Sequence, residues 1–390
     1  MSNTYKFGNG TWATKKGSTL AYSDTNNAFK PLPFSFERNS IATRVNKEGL
    51  IEVVGNDIPR IDYTDSTEGA LLLENSSTNL ITQSEDFSNA AWLKGGDIAI
   101  ESGFLAPDGS NNAYKVSGTN AAMQMNTVTS PSASRTIYAK TTSGTGKAHL
   151  CSFNGNTNNL FTITENWQRF EVNSATGTSS NNFYAVDFRG STSLNEILLW
   201  GSQSESGNLS SYIPTNGSTV QRAVETCNES GNSEVFNDSE GVLFADISAL
   251  TKIYPYRTIC LSNGSVSDRI NIWYWNDGTI KIDLHNSNNQ QFEYDGILDT
   301  TLFNKIAIKY KVNDFSIFLN GFEVFTDLVG STPIGLNKIN FSNGNELHPF
   351  LGKTKEIAYY DEILTDEELE TLTSYRSLNE MVTELNLNAL

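Results

Sequence analysis

Ile270-Asn271-Ile272-Trp273-Tyr274-Trp275, then Asn276-Asp277-Gly278, then Thr279-Ile280-Lys281-Ile282-Asp283-Leu284: two runs of β-branched and aromatic residues meet at a turn that ends in Asp-Gly. An Asp-Gly or Asn-Gly pair between alternating strands is a strong hairpin signal, because both residues tolerate the positive φ of a type I′ turn. The same grammar returns where residues 315–319 and 322–325 flank Asn320-Gly321. Between the two hairpins, Ile306, Ile308, Tyr310 and Val312 alternate with Ala307, Lys309 and Lys311, the period-two pattern of a strand with one wet face. This part of the chain is predicted to be antiparallel sheet.

Downstream, Thr365-Asp366-Glu367-Glu368 is a capping box, with Leu369 and Leu372 following on one helical face, so a short helix closes the last sandwich. Upstream, residues 82–227 alternate short strand candidates (112–116, 135–140, 147–153, 167–172, 183–188, 196–200) with turn clusters such as Thr141-Thr142-Ser143-Gly144, which suggests a sandwich or jelly roll. Residues 228–234 are polar, contain glycine and suit a linker. The first eighty residues differ. Pro31 and Pro33 break regular structure, large apolar residues follow in Phe34, Phe36, Ile41 and Val45, and strands are predicted only at 49–54 and 70–74. That is too little to build a core alone, so a second surface must cover it. The fold expected is all-β: a segment 1–81, a sandwich 82–227, and a second sandwich 235–390 with its helix.

Composition narrows function. The 390 residues carry 27 Lys plus Arg against 44 Asp plus Glu, a formal charge of −17, which disfavours nucleic acid and anionic membranes as partners. No apolar run approaches a membrane span. Cys151, Cys227 and Cys260 are widely spaced and odd in number, the pattern of free thiols. His149, His285 and His348 lack metal-ligand spacing, and no nucleophile elbow, P-loop or dinucleotide fingerprint occurs. Catalysis would rest on carboxylate pairs such as Asp283 with Glu293 or Glu356 with Asp361, so an enzyme is not expected. Aspartates of the last domain are candidate Ca²⁺ ligands, but no loop has dense ligand spacing, and no cofactor is expected. Trp273 and Trp275 share one face of their strand while Tyr274 takes the other, which makes the two tryptophans the candidate platform for stacking sugars.

Three stretches carry a resemblance. Phe36-Glu37-Arg38-Asn39-Ser40-Ile41-Ala42-Thr43-Arg44-Val45-Asn46, with Pro59-Arg60-Ile61-Asp62-Tyr63, Leu71-Leu72-Leu73-Glu74 and Thr78-Asn79-Leu80-Ile81, resembles a segment near the start of bacteriophage head-fibre and tail-fibre proteins. Ser211-Tyr212-Ile213-Pro214-Thr215, running to Gln221-Arg222-Ala223, is similar to the close of the middle jelly roll in the same proteins. Phe350-Leu351-Gly352-Lys353-Thr354, leading to the capping box, looks like the last strand and helix of a laminin-G or concanavalin A-like sandwich. The resemblance implies a structural protein of the virion surface, a fibre or decoration protein displaying lectin-like domains to host or environmental glycans. Its partners would be other virion proteins and further copies of itself, as a homotrimer. The N-terminus shows no apolar core of signal-peptide length, which suits carriage on a particle released by lysis. Phe34, Phe36, Arg38, Arg44 and Arg60 are the expected virion-docking residues, their guanidinium groups pairing with carboxylates of a larger assembly. The alternative is a secreted glycan hydrolase or a bacterial adhesin.

Overall fold

A computed structural model of the chain describes residues 4–126, 133–152, 159–173, 182–252 and 256–387. Its strands are antiparallel almost throughout, and the two α-helices among the described residues, Asp366–Thr373 and Leu378–Glu384, come at the end. Both predicted hairpins form. Asn320 (φ 48°) and Gly321 (φ 90°) take the paired left-handed conformations of a two-residue turn, with Leu319 opposite Phe322. The other hairpin turns differently: only Gly278 has positive φ (85°), and its N–H donates to Trp275 O at 3.1 Å. That is the three-residue loop with a left-handed glycine, which accommodates Asn276 and Asp277 without positive φ. The helix begins at the expected box, with Glu368 N–H donating to Thr365 Oγ1 at 3.3 Å and Thr365 N–H to Glu368 Oε2 at 2.9 Å.

The chain divides into two units, but not at the expected boundaries of 1–81, 82–227 and 235–390. One unit gathers Met1–Asn39, Asn56–Asn75 and Val224–Leu390; the other gathers Ser40–Gly55 and Ser76–Ala223. In the first, a ten-stranded sheet and a five-stranded sheet enclose one core. Strand Tyr5–Gly8 pairs with Gly352–Tyr360, placing Tyr5 opposite Tyr359 and Phe7 opposite Ile357, and Ala70–Leu73 pairs with the same strand further along. Tyr5, Phe7, Phe34, Phe36, Leu71 and Leu73 are all buried among Leu243, Ile259 and Ile308. The early segment does need a second surface, and the chain's own last 170 or so residues supply it. Helix Asp366–Thr373 covers part of the opposite face of the large sheet, with Leu369 packed on Phe244 and Phe318.

The second unit is a sandwich of two five-stranded sheets. Trp92, Met123 and Phe183 from one meet Val116, Ile137 and Leu199 from the other in a single core. Phe153, the last residue of the predicted strand 147–153, lies outside the described residues. The expected linker at 228–234 is tied into the first unit. Ser230 is fully buried, its N–H donates to Ile339 O at 3.1 Å, and Tyr5 Oη lies 2.8 Å from its hydroxyl.

Candidate functional site

The residues expected to dock onto a virion lie mostly inside. Phe34 and Phe36 are 1% exposed, and their rings belong to the core: Phe34 sits 4.9 Å from Phe7 and 5.1 Å from Phe341, centroid to centroid. Arg38 and Arg60 are buried around one carboxylate. Glu225 accepts from Arg38 Nη1 at 2.7 Å, from Arg60 Nε at 2.8 Å and Nη2, and from Glu74 N–H at 2.9 Å. Arg60 Nη2 also reaches Glu74 at 2.8 Å. Burial by itself would push the Arg60 guanidinium down, but Glu225 and Glu74 outweigh it and hold the proton more firmly than usual. These guanidinium groups pair within the chain, as buried charges must when no water reaches them. Arg44 differs, being half-buried and 3.0 Å from Glu52 on the neighbouring strand. The strings quoted above for their resemblance therefore contribute residues to a buried ionic knot.

The tryptophan pair sits as the alternation requires. Tyr274 is fully buried in the core, while Trp273 and Trp275 lie half-buried on the outer face of the five-stranded sheet. Two residues that sequence reasoning missed join them. The His348 ring stands 5.7 Å from Trp273, and Tyr256, 5.7 Å from His348, meets Trp275 edge-on at 4.7 Å. His348 is held with φ 55° and Glu346, two residues earlier, with φ 64°, both uncommon for non-glycine residues and the mark of a constrained loop. Lys281 Nζ lies 4.1 Å from the centre of the Trp275 ring. The Trp275 Nε1–H is buried with no acceptor among the described residues.

Polar side chains of this face converge on Asp283. It accepts from Trp273 Nε1 at 2.5 Å, from Arg269 Nε at 3.1 Å and from Asn271 Nδ2 at 3.3 Å, and His285 Nε2 lies 3.4 Å away. Burial and Arg269 hold the His285 ring below its ordinary pKa, so it is neutral near pH 7. Glu293 stands directly opposite Asp283, but Lys281 engages it at 3.4 Å and Asp295 at 2.7 Å. Asp283 is a positioning carboxylate that fixes the Trp273 ring. Each cation of the face already has an anion.

Among the described residues, no three His, Cys, Asp or Glu side chains gather as a metal site. The three thiols are buried and free, and burial pushes Cys151 and Cys260 up to about 12, out of reach of thiolate chemistry. No helix among the described residues is long and apolar enough to cross a membrane.

No family model and no curated protein matches the chain. Among solved structures, it is similar to the CBM40 of the Ruminococcus gnavus IT-sialidase at 18% identity and TM-score 0.32, over 35% of this chain and 84% of that one. A leech intramolecular trans-sialidase is similar at 19% identity and TM-score 0.31, over 35% of this chain and 23% of that one. Domain 4 of AbnA, an extracellular GH43 arabinanase from Geobacillus stearothermophilus, solved with arabinotriose, is similar at 15% identity and TM-score 0.32, over 43% and 82% respectively.

Proposed function

We propose that the chain is a non-enzymatic glycan-binding protein whose site is the outer face at Trp273 and Trp275. The observation that carries this is the cluster of four rings, Trp273, Trp275, Tyr256 and His348, held half-exposed on a sheet whose other face is packed core. Flat rings present apolar faces to pyranose C–H groups, the usual means by which aromatic side chains hold sugars. Because Lys281 and Arg269 are engaged by carboxylates, the face favours uncharged sugars over anionic ones.

The second part of the proposal is carriage on a bacteriophage particle, as a fibre or decoration protein assembled as a trimer at the virion surface. It is supported by the resemblance of residues 36–46 and 211–223 to phage fibre sequences.

Affinity electrophoresis of the full chain through gels of neutral polysaccharides tests the binding reading. Retardation is expected, with Trp273→Ala and Trp275→Ala each weakening it by about tenfold, the value of one lost stacking contact. Equal migration of wild type and both variants in every gel overturns the assignment of the face. Sustained release of new reducing ends overturns the non-enzymatic reading.

A further inference from the structure

The large sheet of the first unit has a charged row on its outer face. Register places Lys305, Asp246, Glu356 and Gly8 side by side on four neighbouring strands. One step along, Ile247 opposes Thr354, so Lys355 is the extra residue of a β-bulge, and Lys355 and Glu356 both line the same cleft. Gly8 ends the row because a Cβ there would fall 2.3 Å from Lys355 O. The cleft above the row has a volume of about 640 Å³, in the range that holds small ligands, and Phe244, Tyr360 and Leu372 line part of it.

The charges in this cleft do not balance. Lys305 Nζ pairs with Glu380 at 2.8 Å and Lys355 Nζ pairs with Glu384, both acids coming from helix Leu378–Glu384. At the rim Lys6 holds Asp24 at 3.0 Å and Arg376 reaches Glu68 at 3.7 Å. Every cation near the floor is thus claimed by another acid. Asp246 is only 7% exposed, and its Oδ1 is buried with no hydrogen-bond partner among the described residues. Burial pushes its carboxyl up to about 6, although Lys355 and Lys305 pull the other way. Burial and the Asp246 charge push Glu356 up to about 7, against Arg376, Lys6 and Lys305. Two adjacent carboxylates, Asp246 buried and Glu356 half-buried, with no ion pair of their own among the described residues are costly once ionised.

We propose that this cleft is a second binding site, for a small organic cation whose primary ammonium lies between Asp246 and Glu356. An ammonium has three donors and no acceptor, which suits two acceptor-only carboxylates, and the apolar wall takes its methylene chain. A multivalent metal ion fits less well, since no third ligand of the usual kinds joins the pair among the described residues.

Calorimetric titration of the full chain with spermidine at about pH 8 tests this, with tetramethylammonium as a cation that has no N–H donor. Spermidine is expected to bind, and tetramethylammonium to bind at least about tenfold more weakly. Asp246→Asn and Glu356→Gln, isosteric changes whose folding is checked by circular dichroism, should each weaken spermidine by about tenfold or more. For the wild type, affinity should fall by a similar factor between about pH 8 and pH 5 as the pair takes up protons. Absence of binding, equal affinity for tetramethylammonium, or indifference to both substitutions overturns the proposal. If a variant does not fold, the pH series and the tetramethylammonium comparison on the wild type decide the matter.

Discussion

Replacing Glu225 by glutamine separates a buried knot from a docking surface. Glu225 is fully buried and accepts from Arg38 Nη1, Arg60 Nε, Arg60 Nη2 and Glu74 N–H. Glutamine keeps the volume, so no cavity opens, but it keeps one acceptor oxygen and turns an NH₂ toward donors. Arg38 then loses its ion pair with Glu225, and Arg60 loses one of its two carboxylate pairs, keeping Glu74. Breaking a buried pair from one side costs about 3–5 kcal/mol, because the remaining charge stays desolvated. For a unit of 150–250 residues each kcal/mol moves Tm by roughly 2–4 °C, so Glu225→Gln should lower the first unit's melting by about 6–20 °C. Scanning calorimetry measures it directly. If Arg38 and Arg60 instead serve an external partner, the variant melts within about 2 °C of wild type and loses only that partner, and the argument from burial fails.

Gly321→Val should destabilise the first unit by about 1–3 kcal/mol, since φ is 90° and the new Cβ would fall 2.7 Å from Ser374 Oγ; an unchanged urea midpoint would count against the turn assignment. A chain beginning at Thr82 should be insoluble, because it leaves uncovered the core positions filled by Tyr5, Phe7, Phe34, Phe36, Leu71 and Leu73; soluble, cooperatively melting protein would refute this. Limited proteolysis should spare residues 228–234, where Ser230 is buried and bonded to Ile339; a first cut there, read by mass spectrometry, would contradict that packing. Asp246→Asn should leave stability unchanged near pH 4 and raise it by about 1–3 kcal/mol near pH 8. The folded carboxyl keeps its proton to about pH 6, so its contribution is full below the unfolded pKa and is lost as pH rises through 6. Urea unfolding of both proteins at the two pH values checks the sign, and a variant less stable at pH 8 would reverse it.

What the sequence determined by itself was everything set by a few adjacent residues. The two hairpins, the alternation through 306–312 and the capping box at Thr365 follow from turn φ, a two-residue period and one hydroxyl–amide reach. The same local rule separated Trp273 and Trp275 from Tyr274, so half of the aromatic cluster was legible. Tyr256 and His348 were not, because a loop residue announces no facing direction until the sheet beneath it exists. Nor did the sequence reveal what covers the early segment. Phe36, Arg38 and Arg60 were legible as groups needing partners, but not as groups whose partners lie in the same chain. Glu225 lies 187 residues from Arg38 and 165 from Arg60, and Tyr5 finds Tyr359 at the far end of the sequence. Pairing at such separation leaves no periodicity in either strand. Which of the chain's 44 acids neutralises a buried arginine, and whether an apolar strand meets its own chain or another, is settled only when the sheet closes and water leaves.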